Sequence, residues 1–525
     1  MLRRFLAIFA LGSLGLAWST FACSSVPSVP LDAGSDASPD VASTDAAGTN
    51  DSETIPPGET GPGPLLVALR VTVAGPSDAS PPVTLVPPFS PSIHDYYVRC
   101  VAGTNALTVS MTSSPGATSR LTQPTASPSL PEQTVAVSVK ENQAIVAVAS
   151  EGSSSISYWV RCLPHDFPRM EMTRDPDAGT PPAGYYLIGD TWLLAGEGAG
   201  YAMVLDGHGV PVWYFRQAGL GVFDVDDVVS GAVTFRASFT QSTFLAAQPF
   251  EIDQLSPRTL TTAEPTGYAA DEHELRILSN GNFLVLSYPL KSGVDLTGLS
   301  LPLGDGGAQA LGPGSVIQDC VIVEFQPAGA VVSTWAASDH FDPTEDTRVT
   351  ATAFGFGPDS GVLDGGAVYD PFHCNSIDID PANGNLLVSA RYMDSVFYID
   401  RPTGKVLWKL GGSRASKDGA VYVLVVDPFV EQHDARLLPG WSPACNGGTG
   451  QISLFDDESQ GPGPARAVVY DVVVGAGDGG VVADGGCGDG GTAGAATVVW
   501  QRKGSVASTA AGSFRISADG SRVIG

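Results

Sequence analysis

Residues 370–412 read DPFHCNSIDIDPANGNLLVSARYMDSVFYIDRPTGKVLWKLGG, and the fold is decided here. Four short β-prone runs stand out: Ser376–Asp380, Leu386–Ala390, Val396–Asp400 and Val406–Lys409. Turns rich in Asn, Gly, Pro and Thr divide them, as expected of consecutive hairpins. Four antiparallel strands in roughly forty residues is the size of one propeller blade. His373 stands just before the first run.

The unit repeats on both sides. His273–Tyr288 reproduces its first hairpin and Val321–Trp335 its second. His433–Gly440 with Ile452–Asp457 opens another, completed by Val468–Val473 and Thr497–Trp500. Upstream, Tyr201–Trp213 carries the same Asp-Gly turn and closing Trp, and a less regular unit spans about 223–266. Downstream, Ser513–Gly525 opens a sixth. The expected fold is therefore all-β: a six-bladed β-propeller over 185–525 whose last blade is incomplete. Because first strands of blades line a central channel, His273, His373 and His433 should converge there.

Towards the N-terminus the composition changes twice. Leu65–Pro164 contains short alternating runs (Leu66–Val73, Asp95–Val101, Ala106–Met111, Thr134–Val139, Ala144–Ala149, Ser157–Arg161) divided by Gly, Pro and Ser. About a hundred residues of this kind predict a small β-sandwich, weakly similar to cadherin-like modules of bacterial surface proteins. His94 and His165 read as its loop residues. Residues 23–64 are Asp, Ser, Ala, Gly, Pro and Thr with few large apolar side chains, a tether unable to bury a core. Residues 1–22 have the charged start (Arg3, Arg4) and short apolar run of a secretion signal. Thr20-Phe-Ala-Cys23 resembles a lipobox, which would make Cys23 an acylated anchor on an exported periplasmic or cell-surface protein, with the outer membrane as the expected address.

Seven cysteines then leave six for three disulfides in an oxidising compartment. Fifteen connectivities are open; the pairing adopted is Cys100–Cys162, Cys320–Cys374 and Cys445–Cys487. A formal net charge of −28 excludes a general nucleic-acid or anionic-membrane binder. Oligomeric state is not readable. The Asp-Gly-Gly insertion at Gly475–Ala496 has carboxylates suited to calcium but not the spacing of an EF-hand loop, so a solvated loop is expected.

The chemistry-bearing motifs are Asp271-Glu-His-Glu274, Phe372-His-Cys-Asn-Ser376, Ser389-Ala-Arg391, Thr403-Gly-Lys-Val-Leu-Trp408, Gln432-His-Asp434 and Leu454-Phe-Asp456. In this order they resemble the bacterial arylsulfotransferases, aryl-sulfate sulfotransferases that need no phosphoadenylyl-sulfate. The resemblance covers about 185–525. It implies ping-pong transfer of a sulfuryl group from an aryl sulfate to a phenol through a sulfohistidine, without a cofactor. By position, His433 would be the nucleophile, with His373, Asn375 and Arg391 holding the sulfate and His273 completing the site. Elementary chemistry agrees: imidazole is nucleophilic when neutral, and a charge spread over three oxygens needs fixed donors such as a guanidinium.

Rival readings exist. A histidine can be a buried structural residue, and Arg391 can simply pair with Asp394 or Asp400. Three imidazoles can hold zinc or copper, although Arg391 beside them opposes a cation and no metal is expected. The shape could serve a non-catalytic surface scaffold, or, on the Gly-Lys-Val-Leu-Trp hairpins alone, a quinone-dependent dehydrogenase. Asp434 is placed to orient His433, although neighbours on a strand point oppositely. Lys409 and Arg436 read as surface charges, and Trp213, Trp335, Trp408 and Trp500 as packing residues.

Overall fold

A computed structural model describes residues 63–73, 83–173, 184–190, 199–219, 221–238, 249–302, 307–347, 362–363, 366–444, 447–459, 461–475, 494–508 and 510–525. The signal, Cys23, nearly all of the tether, Cys445 and Cys487 lie outside these residues.

The regular structure of the described residues is almost entirely β-strand. Between Leu66 and Leu163 two sheets pack face to face. One joins Leu66–Val73, Thr104–Ser113 and Glu132–Lys140; the other joins Asp95–Arg99, Ser154–Leu163, Ala144–Glu151 and Thr118–Gln123. Leu69, Val71, Tyr96, Val109, Met111, Leu121, Ile145 and Tyr158 fill the space between them. Asp95–Arg99 and Ser154–Leu163 run side by side in parallel, and Cys100 is bonded to Cys162. Thr118–Gln123 was not anticipated, because its Ser-Arg-Leu-Thr run has a single large apolar residue.

The sandwich is welded to the sheet after it. Tyr97, Leu163 and Phe167 share a core with Tyr201, Met203 and Tyr214 of that sheet. Asp166 accepts hydrogen bonds from Tyr201 Oη at 2.6 Å and from Arg216 Nε at 3.1 Å.

From Tyr186 onward the chain forms sheet after sheet, each a meander of neighbouring strands. The first has three strands (Tyr186–Gly189, Ala199–Leu205, Pro211–Ala218) and the second four (Gly221–Asp226, Ala232–Ser238, Phe250–Leu255, Arg258–Ala263). The third has Leu275–Ile277, Phe283–Ser287, Val321–Phe325 and Val331–Ala336. The quoted stretch supplies the fourth: Cys374–Ile379, Leu386–Ala390, Ser395–Asp400 and Lys405–Gly411, within about two residues of the reading at each end. The fifth has His433–Leu437, Thr449–Asp456, Arg466–Val473 and Ala495–Lys503. A strand at Val421–Val425 pairs in parallel with the outer strands of the fourth and fifth, fusing them into a nine-stranded sheet. Phe514–Ile516 and Arg522–Ile524 make a final hairpin. Residues between Leu290 and Tyr369 build a side sheet and a small hairpin that the sequence reading did not contain.

The periodicity explains the stacking. Phe283–Ser287, Val321–Phe325 and Leu386–Ala390 are buried at every position, on both faces. A strand apolar on both faces must be covered on both, so each sheet lies between two neighbours. Val222 and Phe235 pack on Ala202; Phe250 and Ile252 on Leu275 and Val285; Leu286 and Ile322 on Ile377 and Val388; Leu387 and Trp408 on Leu454 and Tyr470; Phe455 and Val469 on Phe514. Trp408 lies flat on Tyr398 at 5.2 Å between ring centroids and donates to Gly447 O at 2.7 Å. Trp500 stacks on Phe514 at 5.3 Å. Both therefore act in packing.

Two charges read as superficial are interior. Lys409 is buried against Asp346 at 2.6 Å, under the Phe341 ring, and Arg436 is buried between Glu274 at 2.5 Å and Asp434 at 2.7 Å. A charge leaves water only when paired. Asp346 and Glu274 come from distant segments that spacing along the chain could not reveal.

Candidate active site

The first strands of the third, fourth and fifth sheets lie side by side. Ile377 N donates to Glu274 Oε2 at 3.3 Å, Arg436 Nη1 to Ile377 O at 2.8 Å, and Ala435 N to Ser376 Oγ at 3.0 Å. The residues at or just before their starts are His273, His373 and His433. The rings meet: His273 is 5.4 Å from His373 and 5.8 Å from His433, between centroids.

Each ring has a carboxylate at Nδ1. His273 Nδ1 lies 2.5 Å from Asp271 Oδ1, and His373 Nδ1 2.6 Å from Asp370 Oδ2. His433 Nδ1 stands 2.8 Å from Asp457 Oδ2, although not in line for a hydrogen bond. With Nδ1 occupied, Nε2 is the atom each ring has for other work. Asp271 and Asp370 also accept the backbone N–H of their own histidine, both at 3.0 Å. Asp457 faces the ring of His433, whereas Asp434, the neighbour in sequence, turns away to Arg436.

Arg391 opens a short 3₁₀ turn at the end of Leu386–Ala390. Its Nη2 lies 2.8 Å from Glu431 Oε2 and its Nε 3.9 Å from Asp457 Oδ2. The guanidinium and the His433 imidazole thus meet at the same carboxylate oxygen. Both carboxylates flank strands of the fifth sheet, so Arg391 reaches across from the fourth. Nη1 donates to Tyr392 Oη and Nη2 to Ser459 Oγ, both at 3.3 Å. The rings of Tyr392 and Tyr288 stand 4.7 and 5.7 Å from His373, and Tyr288 Oη donates to Cys374 O. Cys374 is disulfide-bonded to Cys320, which pins the His373 segment to the third sheet.

Asn375, expected from the family resemblance at the sulfate, uses its amide nitrogen to hold the His433 segment. His373 has φ +49°, so strand alternation does not carry through it. Asn375 Nδ2 donates to Gln432 O at 2.7 Å, gripping the residue before His433. Gln432 Nε2 in turn donates to Ser389 Oγ at 2.9 Å and Ser395 O at 2.9 Å, and Glu431 N to Asp394 Oδ1 at 2.7 Å. These bonds anchor the backbone that leads into His433. Around it, Asn375 Oδ1, Gln432 Oε1, Glu431 Oε1 and Asp457 Oδ1 are buried without a hydrogen-bond partner among the described residues.

Electrostatics separate the histidines. For His433, burial, then the nearby Arg391, His273 and His373 charges, hold the pKa well below the usual imidazole value, so the ring is neutral. For His273, burial works against the charge but Asp271 outweighs it, and the pKa rises to about 9. Asp271 is correspondingly held at about 2 despite its burial, by His273. Burial drives Asp457 well above the carboxylate range, towards its neutral form. One neutral imidazole beside one imidazolium is the pairing that nucleophilic attack with proton delivery requires.

Metal ligation is less suited to these groups. Ligand atoms of Asp271, Glu272 and His273 gather within 4.8 Å, but Arg236 pairs with Glu272 at 2.8 Å and His273 Nδ1 is already held by Asp271. The second such cluster, Asp224, Asp226 and Glu274, is met by Arg276, Arg436 and Arg515.

An all-β scaffold carrying carboxylate-backed imidazoles around a guanidinium defines a site for an anion and a mobile proton. The arylsulfotransferase (ASST) family model matches residues 253–525, just over half of the chain and every residue of this site; the chain belongs to that family. Among solved structures it overlaps a crystal structure of a DUF4623 family protein from Bacteroides eggerthii. That match is 11% identical and covers 87% of this chain and 93% of the other, but its TM-score is only 0.27, too loose an overlap to inform the fold. No curated protein matches the chain.

Proposed function

We propose that the chain is an exported aryl-sulfate sulfotransferase whose five stacked sheets and terminal hairpin are blades of a six-bladed propeller around the histidines. The observation carrying this reading is the meeting of three imidazoles, with His273 5.4 Å from His373 and 5.8 Å from His433, beside the Arg391 guanidinium, which reaches the same carboxylate oxygen as His433. His433 Nε2 attacks the sulfur of an aryl sulfate, and the S–O bond to the aryl group breaks. The departing phenolate takes a proton from His273. A phenolic acceptor then returns its proton to His273 and attacks sulfur, the N–S bond breaks, and both rings are restored. Arg391, His373 and Ser459 Oγ face the sulfuryl oxygens, and the Tyr288 and Tyr392 rings flank the aryl group. Splitting one transfer into two through a covalent intermediate lowers each barrier.

The test is nitrophenolate release from 4-nitrophenyl sulfate with phenol as acceptor; a full-length chain that releases none refutes the reading. The pH profile follows from the signs. His433 is neutral through the neutral range because its pKa is depressed, whereas His273 keeps its proton up to about pH 9. The expected kcat/KM for phenyl sulfate, a poor leaving group, is flat around neutrality and falls above about pH 9. His273→Gln should lower that plateau and remove the alkaline limb, which a profile from pH 6 to 10.5 resolves.

Export and anchoring rest on the signal-like start, the Cys23 lipobox and the two disulfides, since such bonds persist in oxidising compartments. Mass spectrometry of the N-terminal peptide from membranes should find Cys23 diacylated at glycerol; an unmodified Cys23 in the soluble fraction refutes the anchor.

A further inference from the structure

The strand that begins at His433 contains an irregularity. His433 pairs with Phe455 and Arg436 with Ser453, so Asp434 and Ala435 form a bulge. Asp434 lies in the left-handed region at φ +56°, uncommon for a residue with a side chain. A bulge re-aims the side chains beside it, so whatever holds Asp434 also sets the direction of His433. Its carboxylate is held from two sides. Oδ1 accepts from Arg436 Nε at 2.8 Å on its own strand. Oδ2 accepts from Phe514 N at 2.8 Å and Arg515 Nε at 2.9 Å, eighty residues further along the chain.

Both of those donors belong to the terminal hairpin, which carries none of the residues placed in the chemistry. Phe514 is buried against Phe455, the residue across from His433, and against Val469. Arg515 Nη1 reaches on to Asp226 of the second sheet at 3.7 Å. The hairpin therefore spans from the His433 strand to the inner strand of a sheet early in the chain, with one guanidinium touching both.

We propose that Arg515 is a positioning residue: through Asp434 it fixes the bulge that aims His433 at the sulfuryl group. The proposal rests on the sulfotransferase reading for its consequence, but the positioning itself does not depend on turnover. The contacts of Arg391, His373 and Tyr392 with one another do not pass through the hairpin. Loss of Arg515 should therefore misdirect the nucleophile while leaving the donor-binding side of the pocket in place. A misplacement of about 1 Å costs on the order of 100-fold in rate.

The experiment uses the full chain, with Arg515→Ala and Arg515→Lys beside wild type. The nitrophenolate burst counts competent sites, and kcat is expressed per counted site. Arg515→Ala is expected to lower kcat per site by about 30- to 100-fold with KM for 4-nitrophenyl sulfate within about twofold, and added guanidinium should restore at least part of the rate. Arg515→Lys, which keeps the charge but loses the planar fork, should fall between. A variant that merely folds less well loses burst amplitude and keeps kcat per site; that result overturns the proposal. Nitrogen NMR of the His433 ring supplies a readout independent of activity. Its signal should move in Arg515→Ala, and an unmoved signal also overturns the proposal. A signal that moves between wild type and Arg515→Ala, where the wild type releases no nitrophenolate, refutes the sulfotransferase reading and supports the positioning role.

Discussion

His433→Asn abolishes the burst of nitrophenolate from 4-nitrophenyl sulfate and lowers steady release by roughly 10³-fold or more, the scale seen when a covalent nucleophile is removed. The neutral ring exists because burial and the positive charge around it, Arg391 foremost, oppose its protonation. His273 is held charged by Asp271 and cannot take over the attack at neutral pH. Intact-mass measurement of the quenched wild-type reaction should show an adduct of one sulfuryl group, absent from the variant. Equal bursts from both proteins would remove His433 from the mechanism. The amide of Asn preserves a polar side chain of similar size, so the comparison isolates nucleophilicity from packing.

Asp457→Asn is the second large effect, expected to cost about 10³- to 10⁴-fold in kcat at nearly unchanged circular dichroism, by analogy with other carboxylate-backed histidines. Asp457 Oδ2 stands 2.8 Å from His433 Nδ1, and the neutral imidazole has one ring proton to place on either nitrogen. With the proton on Nδ1, the lone pair lies on Nε2, where sulfur is attacked. An Asn amide turned to donate would instead stabilise the tautomer with hydrogen on Nε2, and the nucleophile would be lost without any change of shape. The tautomer is directly visible in nitrogen NMR of the His433 ring. If Asp457→Asn retains wild-type kcat, the ring does not need this partner.

What the sequence displayed most openly was strand identity. Runs such as Leu386–Ala390 and Val321–Phe325 are apolar at all but one position each (Ser389, Glu324) because both faces are covered, and that near-continuity survives in any reading of the residues. The meeting of His273, His373 and His433 was visible for a related reason: each sits at the start of a repeated unit. The backing groups were less accessible. Asp271 and Asp370 lie two and three residues before their histidines, inside motifs already singled out, and a rule pairing histidine with a nearby preceding carboxylate would have found them. Asp457 follows the end of the neighbouring strand and has no such local mark. Asn375 grips the Gln432 carbonyl, a contact no spacing along the chain displays, because its partner lies on the neighbouring sheet. Lys409 and Arg436 looked solvent-facing because their partners, Asp346 and Glu274, belong to other segments. The side sheet between Leu290 and Tyr369 escaped notice because its strands are short and set among Gly-rich turns.

The unusual backbone angles at His373, Glu431 and Asp434 bear on how such a pocket can change over generations. Glycine would relax any of the three positions, yet it would erase the imidazole or carboxylate that the position exists to present. Most other side chains would inherit the torsional penalty without the compensating bonds. These three places therefore have few viable neighbours in sequence space, and drift towards new substrates has its freer routes at the tyrosines and Ser459 around them.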